Sequence, residues 1–218
     1  MPTQTKENYL KAIYFLHQKK EEITITALGE IMEVSKPTVN NMIHKLSANG
    51  WIKYEKYKPI NLTKKGILDA ALIVRKHRLT EMFLVKIMGF GWEEVHHIAE
   101  EMEHLKTEEL FDRMDEILGY PTADPHGSPI PNKQGLTTKA KLETLSSLSK
   151  GESGILRAVD DSSVQLLKML NEKNITLGIS FHVLKKEEFD NTMYVQYNSD
   201  ENQTLSYEVC KRLMVEKV

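Results

Sequence analysis

The sequence has almost no cysteine and no long apolar run, and both absences limit what the protein can be. Cys210 is the single cysteine among 218 residues, which excludes an intramolecular disulfide and a zinc site built from cysteines. No apolar stretch approaches the roughly 18 residues that span a bilayer, and the first residues lack the apolar stretch of a secretion signal. We therefore expect a cytoplasmic protein without a membrane partner.

Net charge is also nearly absent, but the average conceals a segregation. The formal value of −2 taken alone argues weakly against nucleic-acid binding. Residues 1–66 contain 11 lysines, no arginine and 6 acidic residues, a net charge of +5. Residues 67–140 have a net charge of −5 and residues 141–218 a net charge of −2. This division indicates a basic segment that can face DNA, followed by an acidic segment that can hold cations.

The basic segment has the element order of a winged helix-turn-helix. Apolar spacing predicts helices over residues 5–18 and 24–34, and a third from Ser35 to about Ala48. An aromatic, alternating stretch at 51–57 predicts a strand that pairs with 60–62. In this arrangement the third helix enters the DNA major groove. Its predicted DNA-facing residues are Ser35, Pro37, Thr38, Asn40, Asn41 and Lys45.

The rest of the chain divides into two further parts. The pattern predicts helices over 64–89, 92–106 and 107–118, followed by a proline- and glycine-rich linker at 121–135. After it, short strands at 151–159, 179–184 and 193–197 and a helix near 162–173 predict a small β-rich domain. We predict a mainly α protein with three domains, at residues 1–66, 67–136 and 137–218.

Histidine and glutamate residues cluster in the acidic segment at helical spacing. His77 and Glu81 lie one turn apart on one predicted helix, and His96, Glu100, Glu103 and His104 share an arc of about 100° on the next. Imidazole nitrogen and carboxylate oxygen are ligands of manganese, iron(II), cobalt and zinc. The cluster therefore predicts a metal site. The other histidines, among them His126, are interpreted as surface or core residues.

Five motifs together resemble a known family: Lys6–Tyr14 (KENYLKAIY), Ser35–Val39 (SKPTV), Arg75–Glu81 (RKHRLTE), His96–His104 (HHIAEEMEH) and Gly127–Pro131 (GSPIP). They resemble the metal-dependent transcriptional repressors of the diphtheria toxin repressor, iron-dependent regulator and manganese transport regulator type. The resemblance covers about residues 4–135 well. In outline it extends to the C-terminal part, which resembles the SH3-like (FeoA-like) domain of the longer members.

The resemblance implies two metal positions. One uses His77, Glu81 and His96, and can be completed from the C-terminal domain, where the candidates are Asp160, Asp161, Ser162 and Gln165. The other uses Glu100, Glu103 and His104 together with Asn8 of the first helix. Glu100 stands where iron-type members carry cysteine, and its harder oxygen favours manganese over iron(II). Lys11 stands where some manganese-type members have a carboxylate.

We therefore expect a homodimeric repressor that binds a palindromic double-stranded DNA operator when it is loaded with Mn(II) or Fe(II). Two alternatives remain at this point. One is a winged-helix regulator that does not need metal, whose operator affinity a chelator would leave unchanged. The other is a metalloenzyme built on the His/Glu cluster. The cluster has no adjacent nucleophile, and that argues against the enzyme.

Overall fold

Three helices and a short hairpin form the N-terminal part of the chain. The computed structural model describes residues 3–56, 58–138, 140–160, 163–197 and 201–218. Its first elements are α1 (Gln4–Gln18), α2 (Ile25–Ile31), α3 (Lys36–Ala48), β1 (Ile52–Lys53) and β2 (Asn61–Leu62). The two strands pair antiparallel, with Ile52 opposite Leu62. This is the predicted winged helix-turn-helix, although the first wing strand is shorter than the 51–57 prediction.

Local sequence signals explain where these helices begin. The Thr24 hydroxyl accepts a hydrogen bond from the Ala27 N–H and caps α2, as Ser and Thr commonly do at helix starts. Pro37 lies in the first turn of α3, where its missing N–H costs nothing. The apolar faces of the three helices meet in a core that includes Leu10, Ile13, Leu28, Val39, Ile43 and Leu46, all fully buried.

Three more helices follow: α4 (Lys64–Lys86), α5 (His96–Met102) and α6 (Glu108–Ile117). The long helix α4 packs against α1, α5 and α6, so it connects the winged part to the acidic part. Gly66 permits this connection, because a Cβ atom there would lie 2.0 Å from the backbone oxygen of Trp51. Helix α5 is shorter than the predicted 92–106. None of the helices in the described ranges is long and apolar enough to cross a membrane.

The predicted linker at 121–135 is a packed segment, and that prediction is wrong. Its backbone folds back on itself: Ala123 pairs with Pro129 and the Ile130 N–H donates to the Thr122 carbonyl. The buried guanidinium of Arg75 donates to the carbonyl of Pro131 over 2.8 Å, and Arg78 donates to the carbonyl of Pro129. The prolines therefore supply acceptors to two α4 arginines, and a composition typical of linkers here marks tight turns.

A six-stranded antiparallel sheet forms the C-terminal part and encloses its own apolar core. The elements of this part are β3 (Glu143–Thr144), a 3₁₀ turn (Leu145–Ser147), β4 (Ser153–Val159), α7 (Val164–Glu172), β5 (Ser180–Lys186), β6 (Met193–Tyr197), β7 (Glu201–Leu205), α8 (Tyr207–Cys210) and β8 (Leu213–Lys217). The strand order is β3-β8-β4-β5-β6-β7, and the sequence predicted only β4, β5 and β6. The mainly α class with a β-rich C-terminal domain is confirmed.

Candidate metal centre and DNA-binding face

His77, Glu81 and His96 converge on one point between α4 and α5. His77 Nε2 lies 3.0 Å from Glu81 Oε1 and 3.2 Å from His96 Nδ1, and the last two atoms are also 3.2 Å apart. Ligand atoms about 2.1 Å from one metal ion stand roughly 3.0–3.4 Å from each other. The three atoms therefore already have the spacing of a coordination shell. We call these residues the first group.

His126 and Asp124 extend the first group, and the sequence reasoning missed both. Glu81, Asp124 and His126 offer ligand atoms within 4.8 Å of one another, and all three residues are buried. His126 Nδ1 lies 3.7 Å from Glu81 Oε2. Carboxylate oxygen and imidazole nitrogen are both metal ligands, but the interpretation of 121–135 as a linker left Asp124 and His126 out of the predicted site.

A tight turn fixes the His126 imidazole. Asp124 Oδ1 accepts hydrogen bonds of 2.9 Å from the backbone N–H groups of His126 and Ser128. His126 Nε2 lies 2.8 Å from the Trp92 carbonyl, and the two rings stack with centroids 5.9 Å apart. Because Nε2 must donate to that carbonyl, Nδ1 presents its lone pair towards Glu81 in the neutral ring. Such outer contacts orient metal-ligating histidines.

The electrostatics of the first group favour bound positive charge. Burial works against the charged form of Glu81, yet hydrogen bonds with His126, His77 and His96 lower its pKa well below the usual range. Burial also disfavours charge on His77, but hydrogen bonds with Glu103 and Glu81 raise its pKa to about 9. The protons on the His77 imidazole thus balance the carboxylates of Glu81 and Glu103 in the metal-free protein. A divalent ion can replace those protons, so metal binding would release them.

The first group lines a cavity of about 210 Å³ that the C-terminal domain helps to close. Of the candidate ligands from that domain, Asp160 lines the cavity next to Val159. Gln165 is exposed and is not among the lining residues. Asp161 and Ser162 lie outside the described residues. The cavity is also lined by Phe15, Arg78, Ser128 and the five residues of the first group.

Glu103 connects the first group to a second one next to α1. Its side chain is fully buried; Oε2 accepts a 2.7 Å hydrogen bond from His77 Nδ1, and Oε1 accepts one of 2.7 Å from Lys11 Nζ. The His104 imidazole lies against Glu7 of α1, with Nδ1 2.6 Å from Oε2. Glu100 lies between the groups, 3.9 Å from His96 and 3.5 Å from Lys11. The second group is Glu100, Glu103, His104 and Asn8.

Two buried atoms of the second group indicate that its residues fit a metal ion. Asn8 Oδ1 and His104 Nε2 are buried and have no hydrogen-bond partner among the described residues. An unpaired buried polar atom is costly, whereas a lone pair on an amide oxygen or an imidazole nitrogen is a suitable ligand for a cation. Glu7, which the sequence reasoning did not place here, contacts His104, and Lys11, which the resemblance aligned with a carboxylate of some family members, contacts Glu103.

The predicted DNA-facing residues lie at the start and along one side of α3. Ser35, Pro37, Thr38, Asn41 and Lys45 are exposed, while Val39, Ile43 and Leu46 on the opposite side are buried. The Ser35 and Thr38 hydroxyls lie 3.0 Å apart. Asn40 is half-buried, and its Oδ1 accepts a weak 3.4 Å hydrogen bond from Tyr54 of the wing. The wing therefore contacts α3, the helix that the sequence predicts to face DNA.

Three family models match the chain in sequence. The N-terminal DNA-binding domain of iron-dependent repressors matches residues 1–60. The metal-binding and dimerisation domain of the same repressors matches 63–132, and the FeoA domain matches 143–217.

Similar proteins cover nearly the whole chain. The iron-dependent repressor IdeR of Mycobacterium leprae is 29% identical over an alignment of 226 positions that covers 98% of this chain and 97% of that protein. A solved manganese-dependent transcriptional repressor in complex with manganese is 30% identical and superimposes with a TM-score of 0.87, covering 98% of this chain and 100% of that one. The repressor ScaR with bound Cd²⁺ is 31% identical, with a TM-score of 0.81 and full coverage of both chains.

Proposed function

Because this chain belongs to the iron-dependent repressor family, we propose that it is a transcriptional repressor that binds operator DNA when divalent metal occupies the two groups described above. The family resemblance drawn from the sequence is confirmed. The chain is a metal-dependent DNA-binding regulator and not an enzyme, so the metalloenzyme alternative is excluded. Since its partner is genomic DNA, we expect it to act in the cytoplasm.

The observation that carries this proposal is the position of the second group between two parts of the chain. Asn8 belongs to α1 of the winged part, whereas Glu100, Glu103 and His104 belong to the α5 region. A metal ion held by both would link the DNA-binding helices to the helical domain. The ion would bind more tightly when the winged part has one particular orientation relative to the helical domain. This difference in affinity between the two states would shift the protein towards the DNA-competent state.

The helical part also offers a surface for a second copy of the chain. In the described residues, six exposed apolar side chains lie just after the C-terminal end of α4 or on or next to α5 and α6, in a part of the chain that matches a dimerisation domain. Two-fold symmetry in a dimer presents two α3 helices, and this favours a palindromic operator with two matching half-sites. The exposed apolar residues are Ile87, Met88, Phe90, Leu105, Ile117 and Tyr120.

Mn(II) is the metal that the ligands favour, and Fe(II) is the second candidate. The second group contains two carboxylates, an amide oxygen and one imidazole, an oxygen-rich set without a thiolate that suits manganese. The residues of the two groups would hold the ion, the carboxylates would offset its positive charge, and the second group would connect the winged part to the helical part. The metal itself supplies the positive charge that the buried carboxylates need.

Operator binding with and without metal tests the proposal. We expect a chelator to weaken operator affinity by at least about 100-fold, and Mn(II) or Fe(II) to restore it, as measured by fluorescence anisotropy of a labelled duplex. Zinc is included as a third ion. Unchanged affinity in chelator would instead support a winged-helix regulator that does not respond to metal.

Single substitutions test the site residues. Glu103→Ala and His104→Ala should each abolish metal-dependent operator binding while the dimer persists in sedimentation experiments. Glu101→Ala and His97→Ala are matched controls, because both side chains are exposed on α5, which directly precedes Glu103 and His104, and lie off the predicted arc of the cluster. A normal metal response of Glu103→Ala and His104→Ala would contradict the assignment of the second group.

A further inference from the structure

Lys11 places a positive charge on the carboxylates of the second group. Its Nζ lies 2.7 Å from Glu103 Oε1 and 3.5 Å from Glu100 Oε1. Only 12% of the Lys11 side chain is exposed, and none of the Glu103 side chain. The contact therefore spans from α1 to the α5 region and is largely withdrawn from solvent.

The Lys11–Glu103 ion pair differs from an ordinary surface ion pair in the burial of its carboxylate. Lys76 on α4 also bonds a carboxylate, that of Glu108 at 2.6 Å, and its side chain is similarly covered, at 14% exposed. The Glu108 side chain, however, is 71% exposed, so water can solvate it without Lys76. Water cannot solvate the Glu103 carboxylate in this way, because the side chain is fully buried. A buried carboxylate needs hydrogen bonds and an opposite charge to stay ionised.

An ammonium group and a metal ion make conflicting demands on the same oxygen. Lys11 donates to Glu103 Oε1, which a metal ion would need as a ligand, and a protonated amine has no lone pair with which to join the coordination shell. Two cations held within a few ångströms also repel strongly where solvent is largely excluded. The lysine stem has four carbons and can carry its charge outward once it is released.

We propose that Lys11 is a built-in competitor for the metal ion of the second group. Its ammonium occupies the Glu100–Glu103 pair in the metal-free protein and must leave before a divalent ion can bind there. Lys11 thereby raises the metal concentration at which the repressor responds. This inference rests on the proposed function, and it assigns Lys11 a positioning and threshold role rather than that of a ligand.

Mn(II) titration of the full-length dimer tests the competition. The variants are Lys11→Met, which keeps most of the stem and removes the charge, Lys11→Arg, which keeps the charge, and Lys76→Met as the matched control. Each is made also with Glu81→Ala, which disables the first group, so that the remaining binding reports the second. Free Mn(II) is measured by electron paramagnetic resonance.

We expect Lys11→Met to lower the Mn(II) Kd of the second group about tenfold or more, equivalent to about 1.4 kcal/mol, while Lys11→Arg and Lys76→Met stay near the parent value. An unchanged or higher Kd in Lys11→Met would overturn the inference. If wild-type operator binding still depends on metal in that case, the proposed function stands and only the role of Lys11 fails. Metal-independent operator binding would contradict the proposed function itself.

Amine labelling of the unmodified protein gives a second measurement that does not depend on any variant folding. Acetylation by a water-soluble ester, followed by mass spectrometry, should modify Lys11 slowly without metal and at least about threefold faster in saturating Mn(II), because Nζ is released. Lys76 should label at the same rate in both conditions. A Lys11 rate that is constant or falls on metal addition would overturn the proposal.

Discussion

Gly127 lies where the C-terminal domain meets the proposed first metal group, and its replacement by alanine should separate the two. The residue has a φ of +86°, and a Cβ atom there would lie 2.0 Å from the Arg157 carbonyl oxygen and 2.6 Å from Ala158 Cα. Both obstacles are backbone atoms of β4. A side-chain rotation cannot relieve them, so the turn and the strand must move apart.

Two costs add in Gly127→Ala. An L-residue at positive φ costs about 1–2 kcal/mol. A shift of about 1 Å or more, which the overlap requires, would also stretch the 2.9 Å hydrogen bond from the Val159 N–H to the His126 carbonyl, and an unmade buried hydrogen bond costs about 1–3 kcal/mol. We expect a total of about 2–5 kcal/mol.

Gly151→Ala is the matched control, because Gly151 has a φ of +84° and nothing within 4 Å of the position of its Cβ. It shares the backbone cost and lacks the clash. Guanidinium unfolding, followed separately for the helical and C-terminal parts by hydrogen exchange, measures both variants. Two results together would refute this reasoning: the two variants lose the same free energy of unfolding to within about 0.5 kcal/mol, and Gly127→Ala keeps the parent Mn(II) affinity. The contact between Gly127 and β4 would then not hold the C-terminal domain against the first group.

Three further predictions concern other contacts. Lys45→Ala should weaken binding to all DNA sequences and lower the salt slope of binding by about one, and an unchanged slope would remove Lys45 from the interface. Asp115→Ala leaves the buried Arg75 guanidinium without its ion-pair partner and should cost about 3–5 kcal/mol in chemical denaturation. Adding Arg75→Met should recover part of that loss, and no recovery would contradict the buried-charge explanation. Asn171→Ala removes the acceptor of the Trp92 indole N–H, 2.7 Å away, and should accelerate proteolysis between the helical and C-terminal parts about threefold or more; an unchanged rate would mean that this bond does not hold the domain.

The sequence predicted what depends on neighbours along the chain. Residues four apart on a helix lie on one face, so the pairing of His77 with Glu81 and the two faces of α3 followed from spacing alone. His126 was missed because its approach to Glu81 depends on a turn whose prolines bond to arginines some 50 positions earlier. The contact of Lys11 with Glu103, 92 positions apart, has no periodic signal either. Long-range contacts of this kind are set by packing, and no local pattern encodes them.

Glu103 connects the two proposed metal groups, and this predicts that they respond to metal as one unit. Glu103 Oε2 accepts a hydrogen bond from His77 and fixes the orientation of its ring, and Glu103 Oε1 accepts one from the charged ammonium group of Lys11 on α1. A cation that draws electron density towards Oε1 weakens Oε2 as an acceptor, and so changes how strongly His77 Nε2 can donate to a metal in the first group. Coupling of this kind is reciprocal. Removing the His77 imidazole should therefore alter the Mn(II) affinity of the second group, although His77 is not among the residues of that group.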